Sequence, residues 1–159
     1  PIEHSSLWLR SSAGLSWGDR DSPLANAYFG AFGNNYVDDG EVKRYRDVLR
    51  MPGFEIDEIQ GQSFVKSMLE LNLPPVRFEG AGSRAVHATW ARPAIFSTVL
   101  VTDPDEGAYR HTWYNVGAQI DFQIKVQQRL PMTLSFGYAV GFDDDGGSSG
   151  EFMASLKIL

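Results

Sequence analysis

The stretch YNVGAQIDFQIKVQQRLPMTLSFGYAVGF, residues 114–142, alternates apolar and polar residues almost without interruption. In its first half every second residue from Tyr114 to Val126 is apolar, and the residues between them are Asn, Gly, Gln, Asp and Lys. After the segment QQRLP the alternation resumes from Met132 to Phe142. A period of two places successive side chains on opposite faces of a strand. The stretch therefore predicts two β-strands joined by a short turn, each with one apolar and one polar face.

The rest of the chain extends this pattern to about seven strands in an antiparallel meander. The further strand-like segments are residues 7–17, 24–32, 63–73, 86–101 and 151–159. Pro93 interrupts the segment 86–101, and a proline is tolerated only at a sheet edge or a bulge. No segment is a convincing amphipathic helix, although residues 41–51 could form one or two helical turns. The sequence therefore predicts an all-β fold.

Residues 34–61 form a long segment without a strand pattern between two predicted strands. A connection of this length is usually functional or disordered. It contains large apolar side chains beside its basic ones, among them Tyr36, Tyr45 and Phe54. A fully solvated loop would contain fewer of them. We therefore expect this loop to fold back against the rest of the protein.

The composition bounds the possible partners and cofactors. The chain has 159 residues, a formal net charge of −6 and no cysteine. An acidic chain is a poor match for nucleic acid, whose phosphates are bound by basic surfaces. The absence of cysteine excludes disulfides and zinc sites built on thiolates. We expect no nucleic-acid partner and no cofactor.

Three motifs resemble catalytic or metal-binding sites, but each lacks a required feature. Gly14 to Gly18 matches G-x-S-x-G, yet the nucleophile elbow needs a helix after its turn, and here the segment DRDSP follows. The three histidines have no spacing that would place two of them on one metal. The run Asp143 to Asp145 resembles a calcium loop, but Ser148 stands where an EF-hand requires glycine. We therefore expect no enzymatic activity and no metal site.

The two faces of the predicted strands differ in an unusual way. The polar faces carry Asn, Gln, Thr, Ser and Gly with few charges, whereas a soluble sheet usually presents many Lys and Glu to water. The apolar faces are broad, and aromatic residues lie near the strand ends. These features are typical of a transmembrane β-barrel with a hydrated lumen. A soluble β-sandwich or barrel, acting as a binding or structural domain, remains the alternative. The aromatic residues near strand ends are Trp17, Trp113, Tyr114, Phe142 and Phe152.

The order of motifs in residues 25–159 resembles the C-terminal part of the barrels of the bacterial surface antigen superfamily, which assemble or translocate proteins in the outer membrane. In that family a long extracellular loop carries an Arg-Gly-Phe or Arg-Gly-Tyr motif, followed by a strand that ends in a Glu-Leu-x-x-Pro-like sequence. Here Gly53 and Phe54 match the loop motif, and Glu70, Leu71 and Pro74 match the strand end. The segment from Asn34 onward is similar to a subgroup with a periplasmic β-propeller-like region upstream.

The resemblance implies that residues 1–159 are the C-terminal segment of a sixteen-stranded barrel in the bacterial outer membrane. Its partners would be outer-membrane lipid, the upstream part of the same barrel and a protein client. The final strand would close the barrel and act as a sorting signal. Its apolar residues are Phe152, Leu156, Ile158 and Leu159.

The resemblance also assigns a role to the tip of the long loop, Pro52-Gly53-Phe54, which would lie against the inner wall of the barrel. Pro52 occupies the position of the family's arginine, and proline cannot form the ionic and hydrogen bonds of a guanidinium group. Arg46 and Arg50 are the candidates to replace that arginine, with Glu70 as the expected partner.

Overall fold

The computed structural model describes residues 3–33, 41–79, 81–83, 85–127 and 129–158. Its extended segments are β1 (Ser6–Leu15), β2 (Ala27–Phe29), β3 (Ile59–Gly61), β4 (Ser63–Asn72), β5 (Val76–Arg77), β6 (Val86–Thr102), β7 (His111–Val126), β8 (Leu130–Asp143) and β9 (Ser148–Ile158). Two short 3-10 helices span Pro23–Ala25 and Arg44–Arg46. Within the described residues, neither helix has the length or the hydropathy to cross a membrane.

One antiparallel sheet dominates the fold. Its strands follow the order β1-β4-β6-β7-β8-β9, the short β5 pairs with β6, and β2 and β3 form a separate two-stranded sheet. The predicted all-β class and antiparallel meander are confirmed. Because β1 and β4 are neighbours in space, residues 16–62 form a single excursion between them, which we call the long connection.

The strand predicted at residues 24–32 is wrong as a member of the main sheet. The chain turns at Pro23–Ala25, where the Asn26 side-chain amide donates to the carbonyls of Arg20 at 2.9 Å and Ser22 at 3.2 Å. Only β2 is extended in this segment, and it pairs with β3 inside the long connection. Within the described residues, the main sheet therefore has six long strands and the short β5. The turn GDRDSP and residues 34–61 belong to one connection rather than to two.

The connections divide between the two ends of the sheet. The long connection, residues 103–110 and residues 144–147 lie at one end, which we call the long-loop end. Residues 73–85 and 127–129 lie at the opposite, short-turn end. β1 begins and β9 finishes at the short-turn end, since the strands alternate in direction.

The sheet is apolar on the outside and polar on the inside. On its outer face, Leu69, Val116 and Tyr138 are 49%, 48% and 55% exposed. The next residues along the same strands point to the inner face, where Glu70 and Asn115 are 0% and 2% exposed. The sequence alternation thus becomes two chemically distinct faces, arranged oppositely to those of a soluble sheet.

Apolar outer-face residues lie side by side across the strands. In one row the register pairs Leu71 with Ile95, Ile95 with Ala118, Ala118 with Tyr138, and Tyr138 with Phe152. Tyr114, Phe142 and Trp17 are also exposed, as the pattern predicts. Trp113 is the exception: it turns inward and meets the Phe54 ring edge-on at 5.5 Å.

The hydrophobic core lies between the inner face and the long connection. The connection contributes apolar side chains that pack on inner-face residues in two clusters, so a largely polar sheet face still covers a core. One cluster contains Phe29, Met51, Phe54, Ile59, Phe64 and Leu100, and the other contains Phe32, Tyr45, Met68, Phe96, Ala139 and Met153.

Pro93 lies in β6 one residue beyond the last β4 pair, Asn72 with Ala94. Its carbonyl accepts the Leu73 amide at 3.0 Å, and the β4 ladder ends there. The missing proline N–H therefore interrupts no regular ladder. The expected sheet edge or bulge is not what the structure shows: β6 is an interior strand whose register shift lies between Ala88 and Trp90, and Pro93 is tolerated because the β4 ladder has already ended.

Candidate functional site: the long connection anchored on the inner face

The long connection is held to the inner face by polar side chains that four strands supply. Each of them is buried or half-buried and makes at least one hydrogen bond, although Gln119 Oε1 is buried without a partner. The anchoring residues are Lys66, Glu70 and Asn72 of β4, Asn115, Gln119 and Asp121 of β7, Ser135 of β8 and Glu151 of β9.

The centre of the site is an ion pair between Arg46 and Glu70. Arg46 donates from Nε to Glu70 Oε2 at 3.0 Å and from Nη2 to Oε1 at 2.6 Å. Glu70 is 0% exposed, so its charge depends on cationic neighbours. The two-pronged contact fixes the angle between loop and sheet as well as the distance, because a guanidinium and a carboxylate match in plane.

Arg46 is therefore the candidate arginine that meets Glu70. The side chain of Arg50 points elsewhere and lines a cleft with Phe54 and Glu151. The sequence could not separate the two, because both are basic residues on one irregular segment. Arg46 ends the 3-10 turn at Arg44–Arg46, whereas Arg50 lies beyond it.

Lys43 is a second cation beneath the loop. Its ammonium donates to Asn72 Oδ1 at 2.6 Å and lies 3.9 Å from Glu70 Oε1 and 4.0 Å from Asp121 Oδ2. Burial lowers the pKa of Lys43 to about 8, although the two carboxylates oppose this shift. Sequence reasoning missed Lys43. Its only signal is that it stands three residues before Arg46.

Lys66 holds the loop through its backbone. Its ammonium donates to the carbonyls of Asp47 at 3.0 Å and Val48 at 2.9 Å, and also to that of Arg50. Three acceptors match the three N–H bonds of the ammonium group, so the buried Lys66 is satisfied. This contact fixes the backbone just before the loop tip, so the Arg50 side chain is not needed to hold it there.

Pro52 contributes a backbone carbonyl to the anchoring of the loop tip. Asn115 Nδ2 donates to Pro52 O at 2.8 Å, and Asn115 Oδ1 accepts the Thr98 amide at 2.9 Å. The side chain of Asn115 therefore links the tip to two strands. A carbonyl is available from any residue, so this anchor does not require an arginine at position 52.

Gly53 brings the backbone of the tip against β8. Its φ is +97°, and a Cβ added there would lie 2.4 Å from Gly141 N. The Gly53 amide donates to Glu151 Oε2 at 3.1 Å, and the same carboxylate accepts the Phe32 amide at 3.0 Å. Glycine is needed here for its positive φ and for the close approach.

Phe54 completes the tip by lying over Gly141, where an added Cβ would lie 2.5 Å from Phe54 Cε2. The same arrangement recurs at Gly137 beneath Phe32. The glycines on the inner face of β8 thus leave room for aromatic rings of the long connection to pack directly on the strand backbone. The signal in the sequence is the recurrence of glycine on one parity of SFGYAVG, which a hydropathy pattern alone does not interpret.

The predicted closing strand corresponds to β9. Phe152, Leu156 and Ile158 lie on its outer face and are 67%, 37% and 40% exposed, whereas Leu159 lies outside the described residues. β9 pairs with β8 on one side and forms one edge of the main sheet. These residues are apart from the loop anchor.

Two further polar groups join the loops at the long-loop end. Arg20 donates to Asp103 Oδ2 at 2.8 Å and lies over the Tyr109 ring, which ties the long connection to residues 103–110. His111 comes within 3.4 Å of Asp144, and Asp145 completes an exposed group of three potential cation ligands. The sequence alone gives no sign that His111 lies near these acidic residues. The register of β7 with β8 brings them together.

The inner-face anchor is suited to holding a loop in one position. Arg46 and Glu70 form an ion pair, Lys66 and Glu151 are held by backbone carbonyls and amides, and the tip is fixed by shape. Comparison with known proteins gives no further identification: no protein-family model, no curated protein and no solved structure matches the chain.

Proposed function

We propose that this chain forms the C-terminal part of a transmembrane β-barrel of the bacterial outer membrane. The observation that carries the proposal is the exposed apolar outer face, on which Leu69, Val116, Tyr138 and Phe152 stand among many others. Contiguous apolar surface on this scale requires a lipid or protein cover. Lipid surrounds the outside of a barrel wall over its whole circumference, and the apolar outer face extends across all six long strands.

Strand length and inner-face chemistry support the same proposal. The long strands have 10 to 17 residues, and about 9–11 tilted residues cross the hydrocarbon core. The inner face is rich in Asn, Gln, Thr, Ser and buried charged side chains, as expected for a polar lumen. Both edge strands would pair with the remaining strands of the barrel, since unpaired strand edges are not tolerated in lipid.

The proposed activity is the assembly, insertion or translocation of a protein client. Its support is the loop tip Pro52-Gly53-Phe54, which resembles the family motif and lies against β8. A loop held inside a barrel by a paired charge is suited to controlling passage or lateral opening. No catalytic step is part of this proposal.

Labelling of single cysteines tests the membrane placement, because the native chain has none. Val116→Cys and Tyr138→Cys, on the outer face, should react with a bilayer-soluble maleimide in reconstituted vesicles. Lys125→Cys, on the exposed part of the inner face, should react with a membrane-impermeant one. Equal reaction of all three with the impermeant reagent would indicate the soluble alternative.

A second experiment tests the activity. The full-length protein in vesicles should accelerate the folding of an unfolded outer-membrane barrel, and Gly53→Ala should reduce that acceleration while leaving membrane insertion of the protein intact. An unchanged client folding rate with and without the protein would contradict the assembly function but not the membrane placement.

A further inference from the structure

Basic side chains collect on the inner face at the short-turn end, away from the loop anchor. One cross-strand row pairs Arg77 with Trp90, Trp90 with Gln123, Gln123 with Thr133, and Thr133 with Lys157. The neighbouring inner-face row on one side of this row contains Lys125, and the neighbouring row on the other side contains Arg92. We call Arg77, Arg92, Lys125 and Lys157 the basic patch.

The facing of the basic patch follows from contacts on both sides of the sheet. Phe78 stacks on Phe122 on the outer face at 6.5 Å, so the preceding Arg77 points to the inner face. Arg92 pairs in register with the inner-face residue Asp121 and lies over the Trp90 ring at 5.6 Å. Arg92 and Lys125 are exposed, so both are accessible to a partner.

Two acidic groups that border the basic patch, Asp121 and Glu41, are already engaged. Asp121 is buried and accepts hydrogen bonds from Gln119 at 2.6 Å and Ser135 at 2.7 Å. Glu41, at the rim, accepts a hydrogen bond from Arg46 Nη1 at 3.1 Å. Between them a cleft of about 320 Å³ opens, lined in part by Trp90, Arg92 and Thr133.

The opposite end of the sheet carries the opposite charge. Residues 103–110 and 143–147 contribute Asp103, Asp105, Glu106 and the run Asp143 to Asp145. A protein with a net charge of −6 thus concentrates positive charge at one inner site. Such a field attracts anionic segments to the short-turn end and repels them from the other.

We propose that the basic patch binds an acidic peptide segment in extended conformation. The row from β5 to β9 crosses four strand spacings, about 19 Å, which equals about six residues of extended chain. Trp90, Gln123 and Thr133 between the cations supply an aromatic surface and hydrogen-bonding groups for the peptide. Lipid is the poorer occupant, because the patch is on the polar face. The inference does not depend on what covers the outer face.

Fluorescence anisotropy of a labelled peptide tests this inference on the full chain folded in a non-ionic detergent. A decapeptide of alternating Glu and Ser should bind, and decapeptides with Gln or Lys in place of Glu should not. Arg92→Gln and Lys125→Gln should each weaken binding about two- to fivefold, and the double variant about tenfold. Raising the salt from about 50 to 300 mM should weaken it further, because exposed charges are screened.

Arg110→Gln is the matched control, because Arg110 is an exposed cation at the long-loop end, and it should bind as the native chain does. Equal affinity of the double variant would overturn the proposal, as would equal binding of the lysine peptide. A third overturning result is binding of phosphatidylglycerol vesicles, but not of the peptide, that is lost in the double variant. That result would assign the patch to lipid headgroups.

Discussion

Single glycines decide how closely the loop tip approaches the sheet. Gly53 and Gly141 face each other, and each lacks the Cβ that would keep the two segments apart. At Gly53 the positive φ adds a conformational requirement to the steric one. Substitutions at these positions therefore probe the docked loop without changing any charge.

We predict a graded loss of stability in three alanine variants. Gly53→Ala should cost about 3 kcal/mol, since it combines a positive φ with a backbone clash, and Gly141→Ala about 1–2 kcal/mol, since only the Phe54 ring must move. Gly107→Ala is the control: nothing lies within 4 Å of its added Cβ. Urea unfolding in detergent measures all three, and equal losses would mean that the tip is not docked.

The buried Lys43 predicts a pH dependence. Its pKa is lowered to about 8 by burial in the folded chain and is ordinarily about 10.5. Between these values the unfolded chain binds more protons, so the contribution of Lys43 to stability rises with pH from about 8 to 10.5. Below pH 8 the full cost of burying the charge is present.

Between pH 8 and 10, the free energy of unfolding of the native chain should accordingly rise by about 2 kcal/mol relative to that of Lys43→Met. The difference between the two proteins isolates Lys43 from other groups that titrate there, including the buried Tyr45, whose pKa burial raises. Urea unfolding at several pH values measures this difference. A constant difference between the two proteins would show that Lys43 is solvated.

At the scale of elements, the described residues of the long connection, 16–33 and 41–62, pack as one folded unit. It contains the pair β2–β3 and two 3-10 turns, and it is anchored through Glu70 and Lys66 of β4. Its stability depends on the ion pair with Arg46, because removing one partner leaves the other charge buried and unpaired. The expected cost is about 3–5 kcal/mol.

Protease protection tests this dependence in the proposed outer-membrane setting. Arg46→Ala or Glu70→Ala should expose residues 41–58 to cleavage from outside intact cells, and the double variant should be no worse than the worse single variant. Arg110→Ala serves as a control for a lost surface arginine. Rapid cleavage of this segment in the native protein would mean that the loop is solvated.

The sequence predicted the long strands well because their alternation is strict and each face has one chemical character. It failed at residues 24–32, where alternation is weak and Asn26 forms a turn through its side chain. The contact between Arg46 and Glu70 was only partly predictable from the sequence. Charge and apolar content indicate an inward loop, whereas the choice between Arg46 and Arg50 depends on a local turn without a hydropathy signal.

At the scale of the whole molecule, the burial pattern is inverted relative to a soluble protein. Period-two alternation cannot by itself tell which face is buried, since both arrangements give the same pattern. The scarcity of charged residues among the polar positions of the strands predicts that the polar face is the sheltered one. Asn115, Gln119 and Ser135 on that face are buried, in agreement with this prediction. What could not be predicted is that a single connection would supply the apolar half of the core.

The edge position of β9 leads to a prediction for the full-length protein. In the proposed barrel, deleting the last few residues, including Ile158, should prevent stable assembly in the outer membrane, because it shortens the strand that would close the barrel and removes apolar outer-face residues. The heat-modifiable band of the folded barrel on gels measures assembly. A deletion of equal length within residues 103–110 should be tolerated better, and normal assembly of the truncated chain would contradict the closing role.

The pairing of β1 with β4 has a consequence for the order of folding. Val126 pairs with Leu130 across a short turn, whereas Leu15 pairs with Ser63 only after the long connection has been placed. Closing the larger loop costs more chain entropy, so local hairpins are expected to form first. Folding should therefore begin near the C-terminus, and β1 should add last. In pulsed hydrogen exchange, amides of β7 and β8 should gain protection before those of β1.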